Sequence, residues 1–268
     1  MIELNKIYCE SNLDTMAKIS DNFIDLTVTS PPYDNLRTYN GYSFPFEEIA
    51  KELFRITKQG GVVVWVVGDA VIDGSETGTS FKQALYFKEI GFKIHDTMIY
   101  SKTPSFPASI NDNRYSQSFE YMFILSKGIP KTANLLKDRK NKWGGSQSWG
   151  KTSERLKNGT IKEREKINVQ EYGFRFNNWH YATGKGMTTT DEIAYEHPAM
   201  FPEKLAEDHI VSWSNEGDLV YDCFGGSGTV AKMAHKWKRN WILSEISSEY
   251  VKIAEQRLKP YLNQTTLF

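Results

Sequence analysis

Val62–Val67 reads VVVWVV, six apolar residues with no polar break. A strand with one face in water alternates polar and apolar side chains, so an unbroken run of this kind belongs to a strand buried on both faces. Such a strand needs helices above and below it. The flanking sequence supplies them. Ile24–Thr29 (IDLTVT) reads as a second buried strand, and Phe46, Ile49, Leu53 and Ile56 recur on one helical face between the two. Further along, helices are expected at Phe81–Ile90, Glu203–Ser212, Thr229–Lys236 and Tyr250–Leu258. Strands are expected at His95–Tyr100, Tyr121–Ser126, Leu219–Asp222 and Trp241–Glu245. Alternation of this kind predicts an α/β fold, a mostly parallel sheet with helices on both faces.

Composition narrows the class. Of 268 residues, 33 are Lys or Arg and 33 Asp or Glu, giving zero formal charge with 40% hydrophobic residues. That is ordinary for a globular domain and excludes disordered, collagen-like and coiled-coil chains. No apolar run approaches the roughly 18 residues that span a bilayer. The start, MIELNKIYCE, lacks the apolar core of a signal peptide. A cytoplasmic location is therefore expected, with no membrane association. Cys9 and Cys223 cannot build a disulfide framework, and both read as packed at strand ends. The five histidines show no ligand spacing, so no metal is expected.

Charge is not evenly spread. Lys127–Lys185 holds fourteen basic and five acidic residues, a net +9 that the rest of the chain balances. Arg139, Lys140, Lys142 and Lys151 stand here among Trp143, Trp149, Tyr172, Phe174, Phe176, Trp179 and Tyr181. The tryptophans read first as packing for this segment. Basic residues interleaved with aromatics and Gly/Ser loops suit a polyphosphate partner, or simply a solvated lysine-rich insertion.

Two motifs carry chemistry. Asp222–Thr229 reads DCFGGSGT between a strand and a helix. Glycines there let a ligand approach the backbone, and helix N-terminal amides favour anionic groups. It lacks the GK[ST] of a phosphate loop and the full spacing of a dinucleotide fingerprint. Glu245 ends the next strand, where an acid grips ribose hydroxyls. The second motif, Thr29–Tyr33 (TSPPY), ends the strand IDLTVT. Its two prolines stop the strand and leave fixed carbonyls able to accept from an amino group, beside an aromatic face for stacking.

Together these motifs resemble the amino-methyltransferases that act on DNA bases. GGVVVWVVGDA (Gly60–Ala70), SFEYMFILSKG (Ser118–Gly128), HPAMFPEKLAEDHI (His197–Ile210) and SEISSEYVKIAEQRL (Ser244–Leu258) agree with that family. The resemblance covers nearly the whole chain outside the basic segment. With TSPPY first and the glycine motif last, the order is that of the β class. The resemblance implies a Rossmann-like S-adenosylmethionine-dependent fold in three parts. Residues 1–126 would be the catalytic half, 127–192 a target-recognition insertion and 193–268 the cofactor half.

It also implies roles. Phe201, Pro202, Asp222, Phe224, Gly225, Gly228 and Thr229 would line the cofactor pocket, with Glu245 on the ribose. Ser30, Pro31, Pro32 and Tyr33 would form the methyl-acceptor site. Asp69 would line that site or cap the following turn. Arg139, Lys140, Lys142 and Lys151 would contact duplex DNA carrying a specific recognition sequence. One departure stands out: ESNL (Glu10–Leu13) places Ser11 where the family often has an acid; the adjacent Glu10 could substitute, and neither is assigned a role.

The implied reaction moves a methyl group from S-adenosylmethionine to an exocyclic amine of a flipped base by direct displacement. SPPY rather than DPPY points to cytosine N4, with adenine N6 as the alternative. Neither cysteine follows a proline, which disfavours carbon-5 chemistry. An RNA or protein-glutamine methyltransferase and a non-catalytic DNA-binding or anti-restriction relative are the further alternatives. A restriction–modification or phage setting, with or without a partner endonuclease, and a monomer or homodimer complete the expectation.

Overall fold

A computed structural model describes residues 2–32, 44–103, 113–147, 152–164, 168–200 and 202–263. Its main body is an eight-stranded sheet. In chain order the strands are β1 (Lys6–Cys9), β2 (Ile24–Thr29), β3 (Thr57–Val67), β4 (Lys93–Thr103), β5 (Phe119–Ser126), β6 (Asn178–Ala182), β7 (Leu219–Asp222) and β8 (Asn240–Glu245). They lie side by side as β1-β8-β7-β2-β3-β5-β4-β6. Neighbours pair in parallel except that β5 runs antiparallel to both β3 and β4.

The helices are α1 (Asn12–Ala17), α2 (Phe46–Ile56), α3 (Thr79–Glu89), α4 (Glu203–Trp213), α5 (Thr229–Lys236) and α6 (Ser248–Leu262). The α/β expectation holds. β3 explains why: Val63, Trp65 and Val67 join one core with Met16 of α1, Leu53 of α2 and Phe87 of α3. The intervening Val62, Val64 and Val66, equally buried, face the other way. α4 contacts β2, and α5 contacts β7 and β8. Trp65 is fully buried, its ring 5.1 Å from Phe87, and its indole N–H donates to Gln83 at 2.8 Å.

Several elements were not expected from the sequence. β1 (KIYC) and β6 (NWHYA) are short and half polar, and hold strand form through pairing with β8 and β4. On β6 the odd positions turn inward. Trp179 therefore packs in the main body, its ring 4.6 Å from His209, and not in the basic segment. Cys223 is buried, but Cys9 at the end of β1 is exposed, which corrects the expectation that both are packed.

A second compact unit spans Leu135–Phe176; the main body comprises Met1–Asn134 and Asn177–Phe268. The basic segment read as 127–192 is thus divided, its two ends belonging to the main body. Within the small unit, Arg139–Lys140 pairs with Tyr172–Gly173, and Thr152–Arg155 pairs with Ile161–Arg164. Among the described residues no helix is long and apolar enough to cross a membrane.

Candidate active site

The chain leaves β2 for β3 on one side and β7 for β8 on the other. The carboxyl ends of β2 and β7 therefore flank the point where the winding reverses, where open α/β sheets bind ligands. Both motifs lie there. Thr29, the last residue of β2, donates its hydroxyl to Asp222 Oδ1 at 2.7 Å. The same oxygen accepts the Phe224 N–H at 3.1 Å. Asp222 is 3% exposed, and burial, reinforced by the charge of Glu245, raises its pKa to about 7.

The glycine turn is shaped by what surrounds it. A Cβ on Gly225 would lie 2.0 Å from Leu243 Cδ2, so only glycine lets the turn close on β8. Gly228, at φ +78°, starts α5 in a left-handed conformation that glycine adopts without strain. Glu245 clamps the turn: its two oxygens accept the N–H groups of Gly226 and Ser247, both at 2.8 Å. Burial also raises its pKa.

Behind the turn lies an ionic brace. Arg257 of α6, 3% exposed, donates to the Ser227 carbonyl at 3.0 Å and to the Thr229 hydroxyl at 2.9 Å. It pairs with Asp191 at 2.7 Å and with Glu203, and Lys232 of α5 joins the same two acids at 2.6 and 2.7 Å. Nothing in the sequence pointed to this group, because its members are scattered from 191 to 257.

One cavity of about 780 Å³ joins the two motifs. Ser30, Pro31 and Pro32 line it together with Asp222, Phe224, Gly225, Thr229 and Glu245. Pro202 is buried ahead of α4, and Gly228 caps α5; neither lines the cavity. Tyr33, Phe201 and Lys151 fall outside the described residues.

Other residues complete the walls of the cavity, and of these sequence reasoning missed Asn12. Glu10 and Asn12, just after β1, line it, and Asn12 Nδ2 donates to the Cys223 carbonyl at 3.2 Å. Glu10 accepts from Thr15 at 2.9 Å and from Lys18, while Ser11 caps α1 by accepting the Asp14 N–H. The acid beside β1 is therefore Glu10, one residue before the expected position. Asp69 lines the cavity and also caps α3, accepting the Ser80 N–H at 2.9 Å. His197 stacks edge-on to Tyr250 at 4.3 Å and stands against Gly226.

These features fit a cationic nucleoside cofactor. Glu10, Asp222 and Glu245 give the glycine-turn end a carboxylate lining. The close glycine backbone and the Phe224 ring suit a flat base, and the volume exceeds what one nucleoside fills. Among the described residues no group of three His, Cys, Asp or Glu side chains could hold a metal ion.

In the small unit, cations sit over aromatic rings: Arg139 over Phe176 at 4.4 Å, Lys137 over Phe174 at 5.2 Å and Lys142 over Trp143 at 5.2 Å. Arg139 Nε also donates to the Phe174 carbonyl at 2.9 Å. Lys140 and Lys142 are exposed. Trp143 is 61% exposed and Phe176 66%.

The fold and the cavity define an S-adenosylmethionine-dependent methyltransferase. A DNA methylase family model for N6 and N4 methyltransferases matches residues 24–256, and the chain belongs to that family. It is 61% identical over 246 residues to the orphan methyltransferase M.BamHII of Bacillus amyloliquefaciens, covering 91% of this chain and 92% of that protein. The type II methyltransferase M.BglII of Bacillus subtilis is 27% identical, covering 95% of this chain and 69% of the relative. The cytosine-N4-specific PvuII DNA methyltransferase has a similar fold, with TM-score 0.67 and 20% identity over 97% of this chain and 91% of that one.

Proposed function

We propose that this chain is a site-specific DNA methyltransferase that transfers a methyl group to the exocyclic N4 of a flipped cytosine. The observation that supports this most is a single cavity lined by both Ser30–Pro32 and the glycine turn with Asp222 and Glu245. Donor and acceptor subsites would thus share one volume. The cytosine-N4 specificity of the PvuII enzyme and the SPPY tetrapeptide favour cytosine.

S-adenosylmethionine supplies an electrophilic methyl on a sulfonium. Asp222, Phe224, Gly225 and Glu245 would hold it. An exocyclic amine is a poor nucleophile because its lone pair is delocalised into the ring. Ser30 and the Pro31 carbonyl would accept its two N–H bonds, favouring a pyramidal nitrogen with a localised lone pair. No covalent enzyme intermediate is needed; positioning and electrostatics carry the rate. The base leaves the helix at a cost of a few kcal/mol. Tyr33 would stack on it, and Lys140, Lys142 and their neighbours would hold the phosphates.

Substitution at Ser30 tests this reading. Ser30→Ala should lower turnover about tenfold, the worth of one hydrogen bond of about 1.4 kcal/mol, while cofactor affinity stays near wild type. Full activity in Ser30→Ala would move the acceptor site elsewhere. Ser30→Asp, followed by nucleoside analysis of the product, asks whether that residue selects the base.

A further inference from the structure

The cavity has a second charged end that methyl transfer as described leaves without a task. Lys102 of β4 and Glu120 of β5 line it and form an ion pair. Among its described lining residues, Lys102 is the one lysine or arginine. Its ammonium stands 5.8 Å from the Tyr100 ring centroid. Tyr100 is 2% exposed and packs on Tyr181 at 5.9 Å, whose hydroxyl donates to Asp208 at 2.8 Å. Lys102 is thus braced by a carboxylate and a buried aromatic wall, with a third of its side chain still open.

Sheet order gives this pair its direction. The glycine turn follows β7, on one side of β2, whereas β5 and β4 lie on the other side beyond β3. Lys102 therefore flanks the acceptor side of Ser30, away from Asp222 and Glu245. Strands are about 4.8 Å apart, so β2 and the β4 strand that carries Lys102, three spacings away, are separated by about 14 Å. The flexible four-carbon side chain of Lys102 crosses part of that gap, and a hydrogen bond of about 3 Å at each end accommodates one base between its ammonium and Ser30.

We infer that Lys102 reads the acceptor edge of the flipped cytosine, and that Glu120 positions it. An ammonium donates and cannot accept, so it recognises acceptors only. Beside its amine, cytosine presents a ring nitrogen and then a carbonyl oxygen. Adenine presents a ring nitrogen and then a C–H. A donor at the oxygen's place favours cytosine, because an adenine would leave a desolvated ammonium facing a C–H. This inference rests on the cytosine-N4 reading and assigns that site its base-discriminating group.

The test begins with wild-type protein, labelled S-adenosylmethionine and sequence-diverse duplex DNA, and maps the methylated base. Lys102→Met, Lys102→Arg and Glu120→Gln are then compared on the mapped duplex and on the same duplex abasic at the target. Lys102→Met should lose about tenfold or more in kcat/KM, with Lys102→Arg partly restoring it and Glu120→Gln intermediate. Cofactor affinity and affinity for the abasic duplex should stay within about twofold of wild type.

Unchanged kcat/KM in Lys102→Met, with wild type labelling cytosine, overturns the inference and leaves the cytosine reading standing. A matching loss of cofactor affinity, or of abasic-duplex affinity, also overturns it, moving Lys102 to the cofactor or the phosphates. Label on adenine in the wild type overturns the cytosine reading and the inference with it. Should Lys102→Met fail to fold, the arginine and glutamine variants carry the same comparison.

Discussion

Asp222 is where the two motifs meet, through Thr29 on one side and Phe224 on the other. Its acidity gives a sign that can be checked. The unfolded chain releases this proton near 3.8, whereas the folded protein holds it to about 7. Between those values deprotonation favours the unfolded state, so Asp222 makes stability fall as pH rises from about 4 to 7, and its effect levels off above that. Urea titrations across that range should show the fall in the cofactor-free protein and a flatter profile in Asp222→Asn. A cationic ligand favours the charged carboxylate, so Asp222→Asn should also weaken cofactor binding most at pH 8. A second residue-scale test is steric. Gly225→Ala should abolish cofactor binding through its clash with Leu243, and Leu243→Ala in the same chain should restore part of it.

At the scale of elements, the glycine turn depends on α6, which lies beyond it in sequence. Arg257→Met removes the contacts to Ser227 and Thr229 and leaves Lys232 as the one cation paired with Asp191 and Glu203 among the described residues. Breaking a buried ionic brace of this kind costs about 3 kcal/mol, measurable by denaturant unfolding, and cofactor affinity should fall with it. Periodicity alone made β2, β3, α2 and the β7–α5–β8 unit legible, because each carries its own apolar pattern. β1 and β6 were not legible, since KIYC and NWHYA become strands only beside β8 and β4. The same reason hid Asn12, which reaches the cavity from just after β1. Lys102 and Glu120 were hidden differently: 18 residues apart in the chain, they meet only through the antiparallel pairing of β4 with β5. Ser30–Pro32, Asp222 and Glu245 were legible because strand-ending turns mark their own place.

At the scale of the molecule, the neutral chain comprises a main body that holds the cavity and a basic unit, Leu135–Phe176. Reversing charge at Lys140 and Lys142 should weaken DNA binding and flatten its salt dependence by a slope of about 0.9 per lost phosphate contact. Cofactor affinity should not change, because neither lysine lines the cavity. Above all, the cavity would deliver a methyl group to a base amine. Wild-type protein, unmodified duplex DNA and isotopically labelled S-adenosylmethionine, followed by digestion and nucleoside mass analysis, test it most directly. Label is expected on N4-methylcytosine. Label on N6-methyladenine would contradict the choice of base, and cofactor binding without label on any DNA would contradict the claim itself.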